Sequence, residues 1–358
     1  ILIPISGNSN TKVFCMITEK NLTEILTRTV DIEEDGIRLD RWFKRHFPDI
    51  GHGYLQKLLR KGHIKVDGQR AKSNTRIQNG QEIKVPKVSD NPAPKVSKVN
   101  YNTIKDNDID LLRSSVIFKD DYIIAINKPA GLAVQGGSRT SKHVDAMLSS
   151  LQYDLKERPK LVHRLDKDTS GVLLLARTSK VASQLTKAFK RNEVHKIYWA
   201  VVVGSPQIKN GKVDLALNKE PGKFGDKMTV SSKGKRAVTY YRTVDNASDK
   251  VSWLAMMPET GRTHQLRVHC SEIETPILGD GKYGGAEAFL KGAEGVDKKL
   301  HLHAKAIKFP HPSGGFFQVV SDLSPHMNKA WKYFGFDSKK VVDPFEDFYE
   351  QWYSDHGE

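Results

Sequence analysis

Apolar residues recur at Leu39, Trp42, Phe43 and Phe47 and again at Leu55, Leu58 and Leu59, with Gly51-His52-Gly53 between the two sets. Spacings of three and four predict two short amphipathic helices separated by a break. Ile64-Lys65-Val66 then runs into an Asp67-Gly68 turn, and Asn79-Gly80 leads to Glu82-Ile83-Lys84-Val85, two compact strand signals. Residues 38–85 therefore read as a small domain of two helices followed by a small sheet, preceded by an N-terminal extension over 1–37. Pro86, Pro92 and Pro94, set among Lys, Ser and Asn, predict an extended linker over 86–112. Beyond Val116 strand patterns dominate, at 122–127, 171–177, 197–203, 237–243, 251–257 and 316–320, with helical periodicity notably over 181–191. The expectation for 113–338 is an α+β domain on a mixed, largely antiparallel sheet with helices around it. Phe345, Phe348, Tyr349 and Trp352 follow i, i+3, i+4, i+7 spacing among unopposed acidic residues. That pattern predicts an acidic amphipathic tail over 339–358, packed on the body and away from any polyanion.

Charge changes the picture. The chain of 358 residues carries 57 Lys+Arg against 42 Asp+Glu, a formal +15. Residues 38–85 hold 12 Lys+Arg and 4 Asp+Glu, so the excess is concentrated in the first domain. A polyanionic partner fits this better than a membrane surface, and nucleic acid comes first. Lys57, Arg60 and Lys61 stay off the apolar stripe of the second helix. With two cysteines, Cys15 and Cys270, there is no disulfide framework and no four-cysteine zinc site. Apolar stretches such as 171–176 and 198–204 fall far short of the roughly 20 residues that span a bilayer. The start at Ile1 has none of the regions of a signal peptide, and residues 1–15 are read as lying ahead of a start at Met16 or as non-native sequence. A monomer in a bacterial cytoplasm is expected, or a mitochondrial protein if the source is eukaryotic.

The most informative string is His163-Arg164-Leu165-Asp166-Lys167-Asp168-Thr169-Ser170-Gly171, followed by the apolar run Val172-Leu173-Leu174-Leu175. Carboxylates and cations at a loop-to-strand junction are held by a rigid scaffold while facing a cleft. The string resembles the catalytic motif of the RluA-type pseudouridine synthases over its whole length. Lys196-Ile197-Tyr198-Trp199-Ala200 and Gly261-Arg262-Thr263-His264-Gln265-Leu266-Arg267-Val268-His269 resemble the family's second and third motifs. The likeness extends through Asn127-Lys128-Pro129-Ala130-Gly131, Gly279-Asp280 with Tyr283-Gly284, and Leu302-His303-Ala304, covering essentially all of 115–325. Residues 127–137 resemble the RluC-type branch, which modifies large-subunit ribosomal RNA. Arg38-Leu39-Asp40 and the stretch from Lys61 to Gly68 resemble an S4 RNA-binding domain, although Gly51-His52-Gly53 stands where that family's second helix opens with a Ser-Arg type start.

The resemblance implies isomerisation of uridine to pseudouridine without a cofactor. The glycosidic bond from N1 to C1′ breaks, the uracil turns, and C5 joins C1′. It makes Asp166 the catalytic carboxylate, which either attacks C1′ or takes the C2′ proton; sequence leaves both routes open. Arg267 is implied as the cation that keeps Asp166 ionised. Tyr198 is given two jobs, stacking on uracil and assisting removal of the C5 proton. Leu266 forms the pocket floor, Arg164 engages RNA, His163 contacts substrate or hydrogen-bonds the loop, and Asp168 supports the loop through hydrogen bonds. Arg38, Arg41, Lys57, Arg60, Lys61 and Lys65 are the expected RNA-binding cations of the first domain.

Other readings stay open beside this one. His163, His264, His269, His301 and His303 invite a metal reading, but no HExxH is present, and no metal is expected. Gln135-Gly136-Gly137-Ser138 lacks the arrangement of a P-loop, so no nucleotide cofactor is expected. Alternatives are a non-catalytic S4-type RNA-binding or ribosome assembly factor, a hydrolase using Asp166 and Asp168 as paired carboxylates, and a synthase acting on transfer or organellar RNA.

Overall fold

In the computed structural model, residues 25–48, 50–86, 104–136, 140–222, 226–339 and 344–348 are described. The expectations for 1–24, for the linker between 87 and 103 and for Tyr349 and Trp352 of the tail lie outside them. The chain divides into two units, one up to Asn100 and one from Tyr101.

The first unit runs β1 (Ile25–Thr29), a 3-10 turn (Ile32–Glu34), α1 (Leu39–His46), α2 (His52–Lys61), β2 (Lys65–Val66), β3 (Gln69–Arg70) and β4 (Glu82–Pro86). Both helices form where the apolar spacing places them, and Leu39, Trp42, Phe43, Leu55, Leu58 and Leu59 turn inward onto Ile64, Ile77 and Ile83. Asp67 and Gly68 both take positive φ (47° and 76°), the twist a two-residue hairpin between β2 and β3 requires. The antiparallel sheet has the order β1-β4-β2-β3. This corrects the boundary drawn at Arg38. β1 pairs along the whole of β4, and Val30 and Glu34 are buried, so 25–37 belong to this unit rather than to an extension.

The second unit opens with α3 (Asp106–Ser114), whose Leu112 is fully buried, so the linker ends earlier than residue 112. There follow β5 (Val116–Lys119), β6 (Ile123–Lys128), α4 (Val144–Met147), β7 (Lys160–Leu161), β8 (Ser170–Ala176), α5 (Ser179–Lys190), β9 (His195–Val203), β10 (Asn210–Glu220), β11 (Lys227–Val230), β12 (Lys235–Ala247), β13 (Val251–Pro258), α6 (Gln265–Glu272), β14 (Leu302–Pro310), β15 (Phe316–Val320) and α7 (Pro325–Phe334). Eleven strands form one sheet in the order β11-β10-β12-β13-β9-β14-β8-β6-β5, with β15 on β14 and β7 on β8. It is mixed and largely antiparallel; β14 and β8 are the strands that run parallel.

Alternation along β9 sets the two faces. Ile197, Trp199 and Val201 meet Trp253, Met327 and Trp331, so α7 covers one side. Phe345 joins that core at 1% exposure and Phe348 packs beside it, which places the described part of the tail on the body. Tyr198, Ala200 and Val202 face the other way, towards Leu254, Leu266 and Leu302, so α6 lies over that side. At the centre, Gly171 opens β8 with φ 107°, and a Cβ there would stand 2.2 Å from the Ala304 carbonyl oxygen. Only glycine lets β8 start this close to β14, and that start fixes where the preceding loop emerges.

Candidate active site

The loop 163–169 is tied down from several sides. Leu165 is buried in the core over β6 and β8. The Lys167 carbonyl accepts from the Gly131 amide (2.9 Å) and from Lys128 Nζ (3.1 Å). Lys128 is itself fully buried and also donates to the carbonyls of Pro129 and Leu132, both at 2.9 Å. Its ammonium is thus a three-way clamp between the turn after β6 and the loop. Burial, opposed by the charges of Asp168 and Asp166, pulls its pKa down to about 7. On the other flank Ser170 Oγ lies 2.8 Å from His303 Nδ1 and donates to Ser324 Oγ at 3.1 Å, while Ser321 Oγ lies 2.9 Å from His303 Nε2. A buried network below the sheet therefore holds the residue where loop becomes strand.

Across from this loop, α6 begins in a hydrogen-bond hub. Gln265 Oε1 accepts from Thr260 Oγ1 (2.7 Å) and the Arg262 amide (3.0 Å), and Gln265 Nε2 donates to the Val238 carbonyl (2.8 Å). The hub fixes the bend at 260–264, where His264 takes a left-handed φ of 52° and sets its Nδ1 2.7 Å from the Tyr283 hydroxyl. One turn on, Arg267 donates Nε and Nη2 to the two oxygens of Asp280 at 2.8 and 2.6 Å. This bidentate pair is buried, and Arg267 also sits 5.0 Å from the centroid of the Tyr283 ring. Burial lowers the Arg267 pKa, but the bonds and charge of Asp280 and the field of Asp166 outweigh it and raise the pKa.

Between these walls lies a cleft of about 700 Å³. Asp166, Arg164 and His163 line it from the loop, Tyr198 from β9, and Leu266 and Arg267 from α6, so the residues expected at the site from three separate motifs converge. Asp166 is half-buried there, and its charge acts on Lys128, Tyr198, His264, Arg267 and Tyr283. Leu266, 7% exposed, supplies apolar floor, and Arg164 is exposed at the rim.

Several expectations are corrected. Arg267 spends its fork on Asp280 rather than on Asp166, which it reaches only through space. Tyr198 has its pKa raised by burial and by Asp166, so it stays a neutral phenol and is a poor base for the C5 proton. His163 lines the cleft while accepting the Leu174 amide on Nε2 at 2.8 Å and stacking on Phe189 at 5.0 Å, so it also has a supporting part. Burial and the charge of Lys196 hold its pKa down at about 3, so the ring is uncharged. Asp168 is exposed and acts on Lys128 by charge, and among the described residues it makes none of the side-chain hydrogen bonds expected of it. Reading the sequence also left Lys128, Gln265, Asp280, Tyr283 and Ser170 without roles. All five stand inside quoted motifs, but several of their partners, such as Lys167 for Lys128, His303 for Ser170 and Val238 for Gln265, are remote in sequence. Among the described residues no group of three or more His, Cys, Asp or Glu is placed to hold a metal ion, and Cys270 is buried and unpaired. The histidines that invited a metal reading are engaged in packing and hydrogen bonds instead. No helix among them is long and apolar enough to cross a membrane.

In the first unit, Arg41, Lys57, Arg60, Lys61 and Lys65 are exposed and form no ion pair among the described residues, whereas Arg38 is engaged by Asp40. Of the six cations expected to bind RNA, Arg38 is therefore the one held in an ion pair among the described residues.

Known proteins resemble this chain over most of its length. Residues 122–272 match the family described as RNA pseudouridylate synthase. A ribosomal large subunit pseudouridine synthase C of Rickettsia typhi is 37% identical over 275 residues, spanning 75% of this chain and 88% of that protein. RNA pseudouridine synthase 4, mitochondrial, of Arabidopsis thaliana is 33% identical over 338 residues, covering 76% of this chain and 71% of its own. Among solved structures, human RNA pseudouridylate synthase domain containing 4 superposes with a TM-score of 0.55 at 27% identity, over 64% of this chain and 96% of that one.

Proposed function

Because the chain belongs to the RluA-type RNA pseudouridine synthases, we propose that it isomerises uridines of large-subunit ribosomal RNA, with Asp166 as the carboxylate that acts at C1′ of the target nucleotide. The observation that carries the assignment of Asp166 is its place in the cleft. It is the half-buried carboxylate at the meeting point of the motif loop, Tyr198 and Arg267, and its charge reaches both of them. The ribosomal substrate is supported by the activity for which the Rickettsia relative is named and by the exposed Arg41, Lys57, Arg60, Lys61 and Lys65 of the first unit.

In this reading a uridine leaves the stack and enters the cleft, with uracil against Tyr198 over the floor made by Leu266. Stacking of this kind is worth about 1–3 kcal/mol per base and offsets part of the unstacking cost. Asp166 then attacks C1′ or takes the C2′ proton. Either route needs the carboxylate ionised; the charge of Asp166 acts on Lys128 and Arg267. Tyr198 holds the ring as a phenol through rotation and rejoining at C5. Arg267, fixed by Asp280, supplies a constant positive field rather than a proton. The first unit, S4-like in its two helices and basic face, docks on RNA phosphates through Arg41, Lys57, Arg60, Lys61 and Lys65. A second reading, transfer or organellar RNA, is favoured by the mitochondrial relative. The reaction is accordingly placed in a bacterial cytoplasm, or in a mitochondrion if the source is eukaryotic.

The test is pseudouridine mapping in ribosomal RNA transcripts incubated with the protein and with Asp166→Asn, without added metal or cofactor. New pseudouridine from the unmodified protein alone is expected. Equal product from both would remove Asp166 from the chemistry; none from either moves the search to transfer RNA and ribosomal precursors.

A further inference from the structure

Lys196 is a half-buried cation lining the cleft that the reaction as described does not use. It stands on β9 two residues before Tyr198, so both side chains leave the same face of the strand, about 7 Å apart along it. That spacing is on the scale of the distance between a nucleotide's base and its phosphate. Both line the cleft, and beside Lys196 the wall is completed by His163 and Phe189, stacked at 24° between planes. The enclosed cations at the other end are committed, Lys128 to three carbonyls and Arg267 to Asp280. Lys196 is half-buried, yet its ammonium makes no side-chain hydrogen bond or ion pair among the described residues. Its neighbour His163 holds no positive charge and offers no anion. Loss of hydration draws the Lys196 pKa down to about 8, a penalty that an anion at this point would relieve.

We propose that Lys196 forms a phosphate subsite of the cleft, its ammonium binding the phosphodiester that adjoins the target uridine while uracil rests on Tyr198. The inference rests on the proposed seating of the base at Tyr198. An ammonium on a flexible stem suits a single phosphate oxygen, and the stacked His163 and Phe189 leave it aimed by packing rather than by a protein partner. Lys196 is then a binding residue that sets the depth to which the nucleotide enters.

The experiment compares the unmodified protein with Lys196→Met, Lys196→Gln and Lys196→Arg. RNA affinity is measured by fluorescence anisotropy at several salt concentrations, and kcat and KM for pseudouridine formation are measured alongside. Removing one phosphate contact should reduce the slope of log affinity against log salt by about 0.7–0.9. KM should rise about ten-fold with kcat changed less than about two-fold, and Lys196→Arg should recover most of both. Methionine preserves the alkyl packing of the stem and glutamine its polarity, so a folding defect particular to one variant does not decide the outcome. An unchanged salt slope in both, a fall in kcat at unchanged KM, or an arginine variant that behaves like methionine would each overturn the proposal. If the unmodified protein makes no pseudouridine, the functional reading fails while the salt slopes still decide whether Lys196 contacts phosphate.

Discussion

The two units of the chain use charge in opposite ways. In the first, Arg41, Lys57, Arg60, Lys61 and Lys65 stand in water without ion pairs among the described residues. In the second, the charges beneath the cleft are withdrawn from water and assigned: Lys128 to the carbonyls of Pro129, Leu132 and Lys167, and Arg267 to both oxygens of Asp280. An exposed cation costs nothing to keep and attracts a polyanion from a distance, with a strength that salt erodes. A buried charge is expensive unless paired, so its partner fixes its position and it can act on a transition state without first reorganising. Removing a charge should therefore damage affinity in one unit and architecture in the other.

The largest effect expected from this contrast is at Asp280. Asp280→Ala leaves the Arg267 guanidinium buried without its partner, and such a change costs about 3–5 kcal/mol. For a unit of this size that lowers Tm by roughly 6–20 °C, and activity should fall further than stability because Arg267 is released from its aim. Calorimetry and single-turnover assays on the same preparation check both. A variant with native Tm would mean that the pair is solvated and that the contrast between the units is false.

Asp280 also shows what could be read in the sequence. The string from His163 to Gly171 marks a loop that lines the cleft, and the periodicity at Leu39, Trp42, Phe43, Leu55, Leu58 and Leu59 marks α1 and α2, because each is a local pattern. The partner of Arg267 lies thirteen residues on, past α6, and nothing local links the two. α6 itself carries no apolar stripe, since Gln265, Arg267 and His269 are all buried along with Leu266 and Val268. A helix whose polar side chains point into a polar interior defeats a search for amphipathicity. In β10 the alternation of Val213, Leu215 and Leu217 is confined to the middle, and its polar ends, Asn210 to Lys212 and Asn218 to Glu220, are strand through pairing with β12 and β11. β1 was missed because the boundary followed the charge count, whereas Ile25 to Thr29 is set by β4, more than fifty residues away.

A second contrast should appear on acidification. Burial holds His163 and His303 down at about 3, and His195, His269 and His301 at about 4. Unfolded histidine takes its proton near 6.5, so between that value and about 4 the unfolded chain binds more protons than the native one. Stability of the second unit is then full above pH 6.5 and falls as pH drops, by up to about 1.4 kcal/mol per pH unit for each such histidine. In the first unit, burial raises the pKa of Glu34, but hydrogen bonds from His46 and Trp42 outweigh it and hold the carboxyl below 4.5. Its contribution is present above 4.5 and is lost only as pH falls through the lower, native value. Thermal unfolding of the whole chain from pH 8 to 5 should show the catalytic unit losing Tm first, and equal shifts in both units would show that the histidines are open to water.

The smallest effect per residue is expected on the exposed face, where Lys57→Ala, Arg60→Ala and Lys61→Ala should each leave Tm within the change of about 0.5 kcal/mol usual for surface sites. Each should flatten the dependence of log RNA affinity on log salt by about one unit or less. Because these side chains share no partner among the described residues, their effects should add, and the triple variant should lose about the sum of the three slopes. At saturating RNA its kcat should match that of the unmodified protein, since none of the three lies in the cleft. A triple variant with reduced kcat and an unchanged slope would mean that α2 acts on the chemistry and not on the encounter. With the slope reduced and kcat intact, capture and reaction are separable, and RNA preference can be altered in the first unit without touching Asp166.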